Sequence, residues 1–99
     1  MKYLVKATPP IDVANAADDK GGPGAVFEHL AKRFRPELMY GSAMRRQLVM
    51  IVDLDGAEDV AELMFVCGRS AECEPELTPL IDPQALIATL HRTDAAPRL

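Results

Sequence analysis

The chain has 99 residues, of which 48% are apolar and 26% charged, with a net charge of −4 at neutral pH. That length fits one domain, and that balance is globular, which excludes a disordered polar chain. Acidic and basic residues are interspersed and the only basic cluster is Arg45-Arg46, so the chain lacks the basic stripe that displaces counterions from nucleic-acid phosphates.

No apolar run approaches the ~20 residues that span a bilayer. Lys6 interrupts the opening apolar stretch and no cleavage signal follows it, so the N-terminus reads as a strand and not as a secretion signal. The expected setting is cytoplasmic, with Cys67 and Cys73 as reduced thiols and a disulfide between them as the alternative.

In chain order, residues 2–8 alternate lysine with apolar residues until Pro9-Pro10. They predict a strand with Tyr3, Val5 and Ala7 on one face and Lys2, Leu4 and Lys6 on the other. Residues 9–22 read as a long polar connection, mobile or functional. A helix follows, with Pro23 at its first position and Phe27, Leu30, Ala31 and Phe34 spaced along one apolar face. Pro36 forbids its continuation.

Residues 37–42 and 46–54 predict two strands joined by Ala43-Met44-Arg45, the second built on Leu48-Val49-Met50-Ile51-Val52. Asp55, with Glu58 three residues on, reads as a capping box opening a helix. Val60, Ala61, Met64, Cys67 and Gly68 form its stripe, flanked by Leu63 and Ala71, and Gly68 is a place for close backbone approach. Residues 73–80 predict a short edge strand, because Pro75 and Pro79 remove donors from the same side. Asp82-Pro83 caps a last helix with Leu86, Ile87 and Leu90 on its apolar side. Residues 1–92 form the domain, and residues 93–99 are expected to fray.

The order strand, helix, strand, strand, helix, strand predicts a ferredoxin-like α+β fold. It has a four-stranded antiparallel sheet, both main helices on one face, and an extra C-terminal helix. The central strand then carries apolar residues on both faces, Leu48, Met50 and Val52 against Val49 and Ile51. Helices cover only one of these faces, and an apolar patch of that kind is seldom left in water. The expected cover is a second copy, as a homodimer through the open sheet face. The alternative is that the terminal helix folds over it.

The whole chain resembles the dimeric α/β-barrel superfamily of ferredoxin-like proteins, which includes muconolactone isomerase-like proteins, cofactor-free monooxygenases and many small bacterial proteins. The resemblance rests on the element order, on Met1-Lys2-Tyr3-Leu4-Val5, and on residues 47–54 running into Ala57-Glu58-Asp59-Val60-Ala61-Glu62-Leu63. It implies a dimer and a small organic acid or aromatic ligand handled without a cofactor. The monooxygenase members tend to use tryptophan, asparagine or histidine in the pocket, and this chain has no tryptophan and a single asparagine, Asn15.

The candidate ligand-binding residues are Tyr40, Arg46, Asp53 and His29. Tyr40 and Arg46 offer a phenol and a fork of donors suited to a small carboxylate. Asp53 is a base if burial raises its pKa. The competing reading of these three is a dimer-interface network, with Asp53 at a strand end facing water. His29 is of a residue type suited to general-base chemistry but also suits a solvent-facing helix position. His91 suits a helix C-terminus, where a cation meets the helix dipole. The histidines and cysteines show no metal-ligand spacing, so no metal or other cofactor is expected. Gly21-Gly22-Pro23-Gly24 lacks the lysine and serine of a phosphate loop.

The sequence thus supports a small-ligand-binding dimer, with an isomerase-like or oxygenase-like reaction as its enzymatic form. A non-catalytic dimerisation module is the alternative, and a ligand-sensing regulatory domain is a third reading.

Overall fold

A computed structural model describes residues 1–98. In chain order its elements are β1 (Lys2–Ala7), α1 (Ile11–Asp19), α2 (Gly24–Phe34), β2 (Leu38–Gly41), β3 (Leu48–Asp53), α3 (Ala57–Ala71), β4 (Glu76–Pro79) and α4 (Pro83–Arg92). The strands form one open antiparallel sheet in the order β2-β3-β1-β4, an α+β architecture.

The alternation along β1 and β3 decides which face is the core. Val5 lies opposite Met50, Tyr3 opposite Val52 and Ala7 opposite Leu48. Val5, Ala7, Leu48, Met50 and Val52 are all buried, beneath Leu30 and Phe34 of α2 and Leu63 and Cys67 of α3. Arg33 of α2 ties the two helices together on the outside, reaching Asp59 at 3.3 Å and Glu62 at 2.6 Å.

The other face carries Leu38 and Tyr40 of β2 and Val49 and Ile51 of β3. Lys2, Leu4 and Lys6 of β1 and Glu76 and Thr78 of β4 complete it. Tyr40 and Leu38 are exposed, and Leu4, Val49 and Ile51 are half-buried.

At β4 the N–H of Leu80 donates to the Lys2 carbonyl at 2.9 Å, which sets the phase of the strand. Even-numbered residues face β1, so Pro79 removes a donor from the free edge, while Pro75 precedes the strand and is buried. The edge position predicted from the proline spacing is the observed one.

Several expectations are corrected. Residues 9–22 are not a continuous connection: Ile11–Asp19 is a helix, so the domain has a fourth helix beyond the predicted set. Pro10 stands at its N-cap, three alanines favour the helical state, and Ala14 is buried with Val13 and Ala17 half-buried. Gly21 and Gly22, both at φ +98, then turn the chain into α2. Pro23 is the N-cap of α2 and not its first residue.

The helix α3 is capped by Gly56 without a side-chain bond, and Asp59, not Asp55, supplies the carboxylate, accepting from the Asp55 N–H at 3.1 Å. Its buried stripe centres on Leu63 and Cys67, whereas Ala61 and Gly68 face outward. A methyl group at Gly68 meets nothing within 4 Å, so no close approach occurs there. The strands are also shorter than predicted; between β2 and β3 the Ser42 N–H donates to the Gln47 carbonyl at 2.9 Å and the Gln47 N–H to the Arg45 carbonyl at 2.8 Å, which closes the 42–47 turn.

The last helix forms as expected, with Asp82 accepting from the Gln84 N–H at 3.1 Å and Pro83 in the first turn. It does not fold over the open face, and no residue along it is buried. Beyond it, Thr93 donates to the Leu90 carbonyl and Ala96 to the Thr93 carbonyl at 2.9 Å each. The remaining residue of the expected tail, Leu99, lies outside the described residues. No helix among the described residues is long and apolar enough to cross a membrane.

Candidate functional site

Where β1 ends and β3 begins, the two main helices do not fill the core side of the sheet. Between α1, α2, the 42–47 loop and the end of α3 lies a cavity of about 870 Å³. It opens because the surrounding side chains are small. Ala7, Ala14, Ala16, Ala17, Ala25 and Ala71 all line it, at positions where larger residues would close the space. Val13, Val26, Phe27, Leu30 and Leu48 complete an apolar wall.

Polar groups gather at the rim. Lys20, Arg45 and Arg46 bring three cations against the two carboxylates of Asp18 and Glu72. In a chain whose net charge is −4, this is a local excess of positive charge. The Arg46 guanidinium lies 2.9 Å from the Asp18 carboxylate, which pins the 42–47 loop to the end of α1. Gln47 donates to the Thr8 hydroxyl at 2.9 Å and anchors the other side of the loop to the end of β1. Arg46 and Asp18 are both about half exposed, so the pair is held by geometry and only weakly by energy.

One thiol lines the cavity. Burial, with a smaller contribution from the nearby Cys73, pushes Cys67 up to about 11. Burial likewise raises Cys73, against a backbone hydrogen bond at Thr8 that lowers it. Both cysteines are free thiols. Thiolate nucleophiles need the opposite shift, so Cys67 serves this cavity as wall and not as a reactive group.

The four sequence-predicted candidates are not brought together. Arg46 alone lines the cavity. Tyr40 faces the open side of the sheet, directly across from Val49. Asp53 sits at the far end of β3, where the N-terminal ammonium lies 2.6 Å away and holds its carboxyl below the usual range. His29 is exposed on α2 beside a separate surface groove shared with Glu62, Phe65 and Arg69 of α3. Among the described residues no three histidine, cysteine or carboxylate side chains converge as metal ligands.

Sequence reading missed Asp18, Lys20 and the alanine wall because it missed α1. The signal was Ala14-Asn15-Ala16-Ala17 between Pro10 and Gly21-Gly22, a helix bracketed by its own start and stop residues. Compared with protein-family models and with curated proteins, the chain matches none.

Proposed function

We propose that the chain binds a small organic acid with an apolar body in the α1–α2 cavity, and that it works as a homodimer joined through the open sheet face. The observation that carries the binding reading is the cavity, well above the ~300 Å³ at which ligand sites begin and lined by apolar walls with a cationic rim. The body of the ligand replaces water against Val26, Phe27 and Leu30. Its carboxylate takes the place of Asp18 on the Arg46 fork, where a bidentate pair forms.

Cys67, whose thiol burial pushes up to about 11, is not a nucleophile in this reading. An isomerase-like or oxygenase-like reaction, of the kind the superfamily resemblance implies, would draw its polar groups from the rim, where Asp18, Lys20 and Glu72 stand beside the two arginines. The fold supports that resemblance: with α1 and α4 set aside, the elements follow the split βαβ order. The alternative of a pure dimerisation module accounts for the open face but leaves the cavity without a role.

Isothermal titration with a panel of aromatic and branched aliphatic carboxylates tests the binding reading. At least one should bind, Arg46→Ala should weaken it by tenfold or more, and the matching amides should bind no better to the native protein than to the variant. Ala17→Leu, which fills the cavity from α1, should raise stability while removing binding, the usual relation between a functional void and its filling. Carboxylates that bind Ala17→Leu unchanged would place the site elsewhere.

A further inference from the structure

The chain leaves two apolar surfaces bare, and they match. One is the open sheet face, where Leu38 is 47% and Tyr40 64% exposed beside Val49, Ile51 and Leu4. The other is α4, where Leu86, Ile87 and Leu90 are each more than half exposed, with Ile81 leading into them. The helix is well begun, by Asp82 and Pro83, yet it is ten residues long. Helices shorter than ~12–15 residues are marginal in water unless an apolar face is packed.

The shape of the molecule says that α4 does not find its cover at home. The radius of gyration is 16.8 Å, and the extents are 57 × 28 × 22 Å. A compact chain of this length has a radius of gyration near 13 Å. Asp82 holds an extended conformation, φ −57 and ψ 137, as a residue before proline must. Only residues 80–82 join β4 to α4, so this stiff connection sends the helix off the domain.

We infer that α4 is an exchanged arm: in the homodimer proposed above, on which this rests, each copy lays Leu86, Ile87 and Leu90 across the open sheet face of the other. The dimensions agree. A ten-residue helix is about 15 Å long, and four strands span about 14 Å from first to last. The exchange is two-fold and closes on itself, since each copy gives one helix and receives one. The area agrees as well. Leu38, Tyr40, Ile81, Leu86, Ile87 and Leu90, each about half exposed or more, offer roughly 100 Å² apiece, or about 600 Å² per partner, which reaches the lower end of stable interfaces at about 1,200 Å² in total. The edge at β4 is only four residues long and ends in Pro79, so strand addition there competes poorly.

The test places a photoreactive benzophenone amino acid at position 87 of the full chain, in one batch made with heavy nitrogen and one with light. The two are mixed, allowed to exchange, irradiated, digested and read by mass spectrometry, with light scattering giving the mass before irradiation. A dimer whose crosslinks join position 87 to peptides of β2 or β3, about half of them of mixed isotope, supports the exchange. A dimer with only same-isotope crosslinks to the sheet means that α4 closes on its own chain, which overturns the arm and leaves the dimer standing. Crosslinks that miss the sheet overturn it too. A monomer by light scattering overturns both readings at once. In a separate arm, Leu90→Glu should weaken dimerisation by roughly 30-fold or more, as removal of a buried anchor does, and unchanged association would count against the exchange.

Discussion

Two neighbouring positions on β3 separate the faces of the sheet most sharply, and one carboxylate placed at each should give opposite results. Met50 is 1% exposed, with Val5 across from it on β1 and Met39 on β2. Met50→Glu removes about 2 kcal/mol of apolar burial. It also puts a carboxyl among Val5, Leu30 and Leu63, where no cation stands in the core cluster. Whether the group stays charged or takes up a proton, that burial costs several kcal/mol more. A loss beyond about 5 kcal/mol meets a total stability of about 5–15 kcal/mol.

Val49 is the next residue, half-buried on the open face, with Lys6 directly across on β1 and Tyr40 on β2. Glutamate there faces a lysine, a cross-strand pair that contributes about 0.2–1 kcal/mol and offsets most of the lost β-branched packing. The stability of the single chain should therefore change by less than about 1 kcal/mol. The dimer proposed above should not survive, because the carboxylate would lie under the partner. Urea unfolding followed by circular dichroism reads the first effect, and size-exclusion with light scattering reads the second. Met50→Glu should show little folded signal at 25 °C, and Val49→Glu should be folded at the monomer mass. Equal loss of fold in both variants would refute the face assignment, and a dimeric Val49→Glu would refute the open face as the interface.

Two further outcomes follow from single residues. Cys67 binds its proton more tightly folded than unfolded, since burial moves it from 9.0 to about 11. Its contribution is constant below pH 9 and is lost as pH rises toward 11, by of order 2 kcal/mol. Urea midpoints at pH 8 and pH 10.5 should fall for the native chain and fall less for Cys67→Ala; equal slopes would show that the thiol does not titrate against burial. Arg35 ends α2 in the left-handed region at φ 47. Arg35→Gly should stabilise the chain by about 0.5–1 kcal/mol by relieving that conformation, and a lower thermal midpoint would contradict it.

The sheet and its core were legible because their signals are periodic and strong. The Lys-apolar alternation of residues 2–7 assigned both faces of β1, and Phe27, Leu30, Ala31 and Phe34 marked the buried side of α2. Pro75 and Pro79 announced an edge, and Asp82-Pro83 a helix start. By contrast, α1 was hidden because its buried side is made of alanine and valine, too small to stand out against Asp12, Asn15, Asp18 and Asp19. The cavity was hidden for a related reason. It exists where side chains are missing, and its lining comes from α1, α2, α3 and the 42–47 loop, segments that no local pattern connects. Of the four candidate residues, Arg46 reaches this cavity because the loop leaves the ladder early. Tyr40 remains on the open face by the alternation of β2, and Asp53 is drawn to the N-terminal ammonium.

The claim that a carboxylate ligand enters between α1 and the 42–47 loop is tested most directly by mapping. Backbone amide shifts of the nitrogen-15 labelled protein, followed as the tightest-binding carboxylate is added, report where it sits. Saturable shifts are expected at Ala14, Ala17, Ser42, Arg46 and Leu48, with Val49, Ile51 and Tyr40 of the open face unmoved. Shifts confined to the open face or to the groove beside His29, or none at any concentration, would contradict the claim.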